Sequence, residues 1–120
     1  MSENMTQFVV EKQALLESVE GDAEFLNTLL GIFLTDYPRI LAQIRDAVAG
    51  RDAAKVKNTA HELKGSVSFF GVRDAVQAAQ NLEVMGKEEK LENVDEALAE
   101  LEREMVRVVL AFEEIKKQIP

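Results

Sequence analysis

Apolar residues recur at alternating three- and four-residue spacings through most of the chain, the period at which one face of an α-helix is buried. The final segment shows the pattern most fully, through Leu91, Val94, Leu98, Leu101, Met105, Val108, Phe112 and Ile115. A second stripe, Ala53, Val56, Ala60, Leu63, Val67 and Phe70, follows the same alternation from just after Asp52. Val72, Val76, Ala79 and Leu82 form a third stripe, and Ile40, Leu41, Ile44, Ala47 and Val48 a fourth. Nearer the N-terminus, Phe25, Leu26, Leu29, Leu30, Phe33 and Leu34 give a broad apolar face. "FVVEKQALLESV" reads as a short, imperfect first helix through Ala14, Leu15 and Val19.

The residues between the stripes divide them. Gly21 can terminate the first helix, and Asp22 can cap the next by accepting from its free N–H groups. "TDYPR" predicts a break, because Pro38 lacks the N–H that a helix interior needs but is tolerated in a first turn. The helix that starts there ends near Gly50, Asp52 caps the following one, and Gly71 opens the turn to the next. "MGKEEKLEN" reads as a polar connection whose second half can already be helical, with Asn93 and Glu96 spaced as a capping box.

These elements predict an all-α fold. We expect an antiparallel four-helix bundle over about 38–49, 53–68, 72–85 and 94–117, with one or two short additional N-terminal helices flanking it. Alone, the last stripe could be a coiled-coil seam between chains. With several amphipathic helices in the same chain to receive it, intramolecular packing is the simpler solution, and a monomer is expected. No internal repeat or low-complexity stretch marks a second domain, so 1–120 is expected to be one unit with its core bundle at approximately 37–118.

Composition narrows the chemistry. A hydrophobic fraction of 47% in 120 residues allows a core without disulfides, and the absence of cysteine excludes thiolate metal sites and thiol nucleophiles. Fourteen Lys plus Arg against 22 Asp plus Glu give a net charge of −8, which argues against broad binding to nucleic acid or an anionic membrane. "MSENMTQFVV" lacks the basic and apolar regions of a signal peptide, and no apolar run reaches transmembrane length, so a cytoplasmic location is expected.

The chain holds a single histidine, His61. At about 100° per residue it lies roughly 130° from the centre of its helix's apolar stripe and should face solvent. Lys57, Lys64 and Gly65 stand one turn away on the same surface. Gly65 is unexpected there, because a mid-helix glycine costs about 1 kcal/mol relative to alanine. Its missing side chain would leave the imidazole open to another protein. A neutral imidazole is a nucleophile, and a phosphoryl group placed on it could be stabilised by Lys64 and Lys57. A metal cluster would need further histidines, no serine–histidine–acid set is identifiable, and there is no glycine-rich nucleotide loop. On these residues alone, a solvated surface histidine and a phosphoacceptor both stand.

"AHELKGSVSFFG", residues 60 to 71, resembles the pattern AHxLKGSxxxxG of the histidine-containing phosphotransfer (HPt) domain family. The lead-in "FLTDYPRILAQIRDAVAGRDAAKVKNTAHELKG" and the pair Leu82–Glu83 extend the resemblance over nearly the whole chain. The resemblance implies that His61 is the phosphoacceptor between receiver-domain aspartates in a two-component phosphorelay. Lys64 matches the lysine that gives electrostatic support, Gly65 the glycine that leaves steric access, and Gly71 the glycine near the interhelical turn. It implies response-regulator receiver domains as partners, with a hybrid histidine kinase as a further candidate. It also implies no autonomous ATP-dependent kinase activity, no cofactor bound by this chain, and Mg²⁺ carried by the receiver. The sequence departs from the family between Ser66 and Gly71, where Val67 and Phe70 can join the core but Phe69 is hard to bury. A receiver contact and a packing role at the helix end are both open to Phe69. The competing readings are a non-catalytic helical adaptor that assembles through the long seam, and a relative that binds receivers without carrying phosphate.

Overall fold

The turn after the first helix shows how local chemistry sets the chain's path. Gly21 adopts φ +80°, a left-handed conformation that suits glycine, and its N–H donates to the Leu16 carbonyl at 2.7 Å. Asp22 then accepts from the Phe25 N–H at 3.0 Å and starts the next helix. In the computed structural model, which describes residues 10–119, five helices follow one another: α1 (Lys12–Ser18), α2 (Ala23–Ala49), α3 (Ala53–Ser68), α4 (Arg73–Glu88) and α5 (Val94–Gln118). Among the described residues there is no strand. The part of the expected first helix before Val10 lies outside the described residues.

The predicted break at Pro38 does not occur. α2 runs unbroken for 27 residues with Pro38 inside it. Buried side chains on both sides of the proline explain the continuity: Leu26, Leu30 and Phe33 before it, and Ile40, Leu41 and Ile44 after it, belong to one core. Phe33 and Tyr37, one turn apart, also stack with ring centroids at 5.6 Å. A missing hydrogen bond and a ring clash cost about 3 kcal/mol, less than the burial on either side returns. The flanking element expected upstream of the bundle is therefore the first half of a bundle helix.

Two further expectations are corrected. Residues 85–88 are helical rather than connecting, and the turn falls at 89–93, with Glu89 at φ +58°. Gly86 accounts for the extension. It is buried where α4 crosses α3 so closely that a Cβ would stand 2.6 Å from the Ala53 carbonyl oxygen. The sequence reading places that glycine in a polar connection, whereas the packing uses it as a contact. Asn93 precedes α5, but its side chain makes no capping hydrogen bond. Asp52 does cap α3, accepting from Lys55 N–H at 3.1 Å.

The core is one cluster shared by all five helices. At its centre Phe112 of α5 meets Phe33 of α2 at 5.3 Å and Phe70, just after α3, at 4.7 Å between ring centroids. Leu101, Met105, Val108, Phe112 and Ile115 are each at most 1% exposed. The long apolar stripe is thus consumed inside the chain. No helix of the described residues is long and apolar enough to cross a membrane.

Candidate functional site

Burial of Val56, Ala60, Leu63 and Val67, each 0% exposed, fixes the rotation of α3. That rotation turns His61 outward, and its side chain is 67% exposed. The 130° offset read from the sequence is the reason. The ring is not free on both sides, however: Nδ1 lies 2.8 Å from Oε2 of Glu83 on α4.

Lys64, one turn after His61, reaches the same carboxylate. Its Nζ stands 2.7 Å from Glu83 Oε1 and donates to Gln80 Oε1 at 2.9 Å. Glu83 Oε1 is shielded from solvent, and the ammonium is the charge that offsets its burial. The Lys64 hydrogen bond holds the Glu83 carboxyl below the ordinary glutamate value; burial opposes this, and the His61 contact adds to it. One carboxylate therefore ties together the imidazole and the lysine that the sequence had placed side by side.

Gly65 sits in the interior of α3, and a Cβ there would meet nothing within 4 Å. The contrast with Gly86 is informative, because packing among the described residues gives no reason for a glycine at 65. Gly71 takes φ +72° in the turn to α4. The hydroxyls of Ser66 and Ser68 donate to the carbonyls of Glu62 and Lys64, at 3.2 and 2.6 Å, so both are engaged with their own helix. Lys57 is exposed one turn before His61.

On the α2 side, Arg39 bridges Asp36 at 3.1 Å and Glu62 at 3.0 Å, and the hydrogen bonds to these carboxylates, Asp36 foremost, raise its pKa above the usual value. Val67 and Phe70 are buried, while Phe69 is 50% exposed and packs edge-on against Phe70. With Ile32, Tyr37 and Ser66, Phe69 lines an apolar groove between α2 and the end of α3. Among the described residues, no group of three or more His, Cys, Asp or Glu side chains could hold a metal ion.

The site thus includes partners that the sequence reading did not assign: Glu83, Gln80, Arg39 and Glu62. Gln80 and Glu83 are three apart and share a face of α4, which was a visible signal. Which residues of α3 that face would meet depends on the rotation and crossing of two helices, and periodicity alone leaves that pairing undetermined.

A family model described as the Hpt domain matches residues 28–111, a span that contains His61, Lys64, Gly65 and Glu83. The chain belongs to the Hpt domain family. Hpt domains act as phosphocarriers in two-component phosphorelays rather than as autonomous enzymes, and as a family they partner receiver domains and hybrid kinases. The crystal structure of histidine-containing phosphotransfer protein B (HptB) from Pseudomonas aeruginosa PAO1 superposes with a TM-score of 0.83, covering 92% of this chain and 96% of that one at 23% identity. It has the same fold. The phosphorelay intermediate protein rdeA of Dictyostelium discoideum is 23% identical over 107 residues, 89% of this Hpt chain. The chain spans 42% of the length of that relative.

Proposed function

We propose that His61 takes a phosphoryl group from the aspartyl phosphate of a receiver domain and passes it to the aspartate of another. The observation that carries this reading is an exposed imidazole, backed by the Glu83–Lys64 pair and standing beside a glycine whose missing side chain no packing among the described residues requires. A receiver that must bring its phosphoaspartate in line with an imidazole nitrogen needs that open approach. Lys64 supplies positive charge at the margin of the transferring group, and Gly65 supplies the clearance. The Hpt family match and the printed role of rdeA as a phosphorelay intermediate support the same assignment.

The partners on this reading are response-regulator receiver domains and a hybrid histidine kinase. The receiver carries the Mg²⁺ that neutralises charge on the phosphoryl oxygens, and this chain contributes nucleophile and docking surface. We read residues 1–120 as a single such unit, acting as a monomer in the cytoplasm. The burial of Leu101, Met105 and Val108 supports this reading over an adaptor that assembles through that stripe.

The test is incubation with a panel of phosphorylated receivers, followed by site mapping. The label is expected on His61, acid-labile and relatively stable to base, and absent from a folded His61→Gln variant. With ATP and Mg²⁺ alone, no label is expected. Transfer that survives loss of His61 would eliminate the mechanism.

A further inference from the structure

We propose that Arg39 is a positioning residue for transfer: it draws the Glu62 carboxylate toward α2 and offsets its charge, so that an anionic phosphoryl donor meets His61 without repulsion from that side. The proposal rests on the reading of His61 as phosphoacceptor. A chain of net charge −8 has to admit an anion to its single imidazole. Carboxylates flank that imidazole from two directions. Glu83 approaches from α4, 2.8 Å from the ring, and Lys64 offsets its charge at 2.7 Å. Glu62 is the next residue along α3, about 100° around the helix from His61. Its cation comes from another helix: Arg39 Nη2 of α2 stands 3.0 Å from Glu62 Oε2.

The guanidinium is anchored on its own helix. Asp36, one turn earlier, accepts from Nε at 3.2 Å and from Nη2 at 3.1 Å, the two-point fit of a guanidinium to a carboxylate. Gln43, one turn later, accepts from Nη1 at 3.3 Å. Nη2 carries two hydrogens, so one serves Asp36 and the other reaches Glu62. An isolated exposed ion pair contributes little to stability, because ordering two long side chains offsets much of the attraction. Here Asp36 and Gln43 already order the arginine, and Glu62 meets a fixed charge. What the pair sets is the electrostatics beside His61 more than the strength of the fold. Lys64 cannot take over, because its ammonium is engaged by Glu83 and Gln80.

Loss of Arg39 releases two carboxylates, Asp36 and Glu62, of which only Glu62 adjoins His61 in the chain. Arg39→Gln should therefore hinder an anionic reagent and leave a neutral one unaffected. Removing the Glu62 charge in the same chain should lift the hindrance, whereas removing the Asp36 charge should not.

Two small reagents test this without a receiver. Phosphoramidate is an anionic phosphoryl donor: an imidazole nitrogen bonds to phosphorus as the phosphorus–nitrogen bond of the reagent breaks, and ammonia leaves with a proton taken from water. Diethyl pyrocarbonate is neutral and acylates the same ring, and with one histidine in the chain ring modification reports His61 alone. Both rates are measured at low salt on variants shown to be folded. Arg39→Gln is expected to react about three- to tenfold more slowly with phosphoramidate, the effect of one uncompensated charge near the reacting atoms, and at the native rate with the pyrocarbonate. The double variant Arg39→Gln, Glu62→Gln should recover the native phosphoramidate rate, and Arg39→Gln, Asp36→Asn should stay slow. The gap should narrow toward 1 M salt, where the screening length falls to about 3 Å. A merely structural role for Arg39 would alter both reagents' rates together and would not be undone at Glu62. Equal phosphoramidate rates in native protein and Arg39→Gln, or no recovery in the Glu62 double variant, overturn the proposal while a labelled His61 leaves the phosphoacceptor reading standing. A native His61 that phosphoramidate fails to label overturns that reading, and the proposal with it.

Discussion

Gly86 and Lys57 meet backbone to backbone: a Cβ on Gly86 would stand 2.5 Å from the Lys57 nitrogen. Neither Lys57 N nor the Ala53 carbonyl oxygen can swing aside as a side-chain tip can, because both belong to helix α3. Gly86→Ala should therefore destabilise the fold by about 1–3 kcal/mol through overpacking, despite alanine's better helix propensity. Gly65→Ala should do the reverse. With nothing within 4 Å of the added Cβ, the propensity gain of up to about 1 kcal/mol should appear as added stability. Urea unfolding midpoints of the two variants should move in opposite directions; a shared direction would contradict the packing described.

The same pair of glycines marks how far the sequence could be read. Helix identity and inward faces were legible because burial imposes a period, and Val56, Ala60, Leu63 and Val67 obeyed it without exception. His61 was legible for the same reason, being off that face. Breakers were less reliable. Pro38 and Gly86 both suggest interruption locally, yet each lies inside a helix, because packing across the position outweighed the local preference. The link from His61 to Glu83 joins residues 22 apart and depends on how α4 sits against α3, which no spacing within either helix encodes.

Pro38→Ala follows from the unbroken α2. The substitution supplies an N–H for the carbonyl one turn earlier and removes the ring clash. A gain of up to about 3 kcal/mol is expected, measured by thermal unfolding, because the helix interior no longer carries the proline penalty. Pro38 is exposed, so little packing is lost. A loss of stability would mean that Phe33 and Ile40 depend on a bend the proline imposes.

Phe112→Ala addresses the other end of the energy scale. Phe112 is 0% exposed and touches the rings of both Phe33 and Phe70, so its removal opens a cavity between three helices. A loss of about 3–5 kcal/mol is expected from urea unfolding. In a domain of marginal stability this is a large fraction of the whole.

Access to His61 can be separated from stability at two positions. Phe69 is 50% exposed, so Phe69→Ala should change stability by no more than about 0.5 kcal/mol. If it docks a receiver, apparent affinity should fall about tenfold, the effect of losing roughly 1.4 kcal/mol at an interface. Gly65→Leu should obstruct transfer more severely while the fold persists, because it puts bulk one turn from the imidazole. Transfer rates measured across receiver concentrations check both, and unchanged rates would remove both residues from the docking surface.

Lys64 carries a charge paired with Glu83 and, on the proposed function, a part in transfer. Lys64→Ala leaves Glu83 Oε1 shielded from solvent and without the ammonium now 2.7 Å away. Such an unsatisfied group costs about 1–3 kcal/mol. Lys64→Met keeps most of the stem and isolates the loss of charge from the loss of packing. The pH dependence has a definite sign. The Glu83 carboxyl is held below its ordinary value of 4.5, with the Lys64 hydrogen bond as the leading cause. A carboxyl depressed by folding contributes stability above its unfolded pKa and loses it as pH falls through the lower folded value. The gap in unfolding free energy between native protein and Lys64→Met should therefore be widest near neutral pH and close in acid, where Glu83 is protonated in both. On the proposed function, receiver-dependent transfer at neutral pH should also slow in the Met variant, because Lys64 no longer brings positive charge to the His61 surface and Glu83 loses the ammonium paired with its carboxylate. A stability gap that persists unchanged into acid would show that Lys64 acts through packing alone.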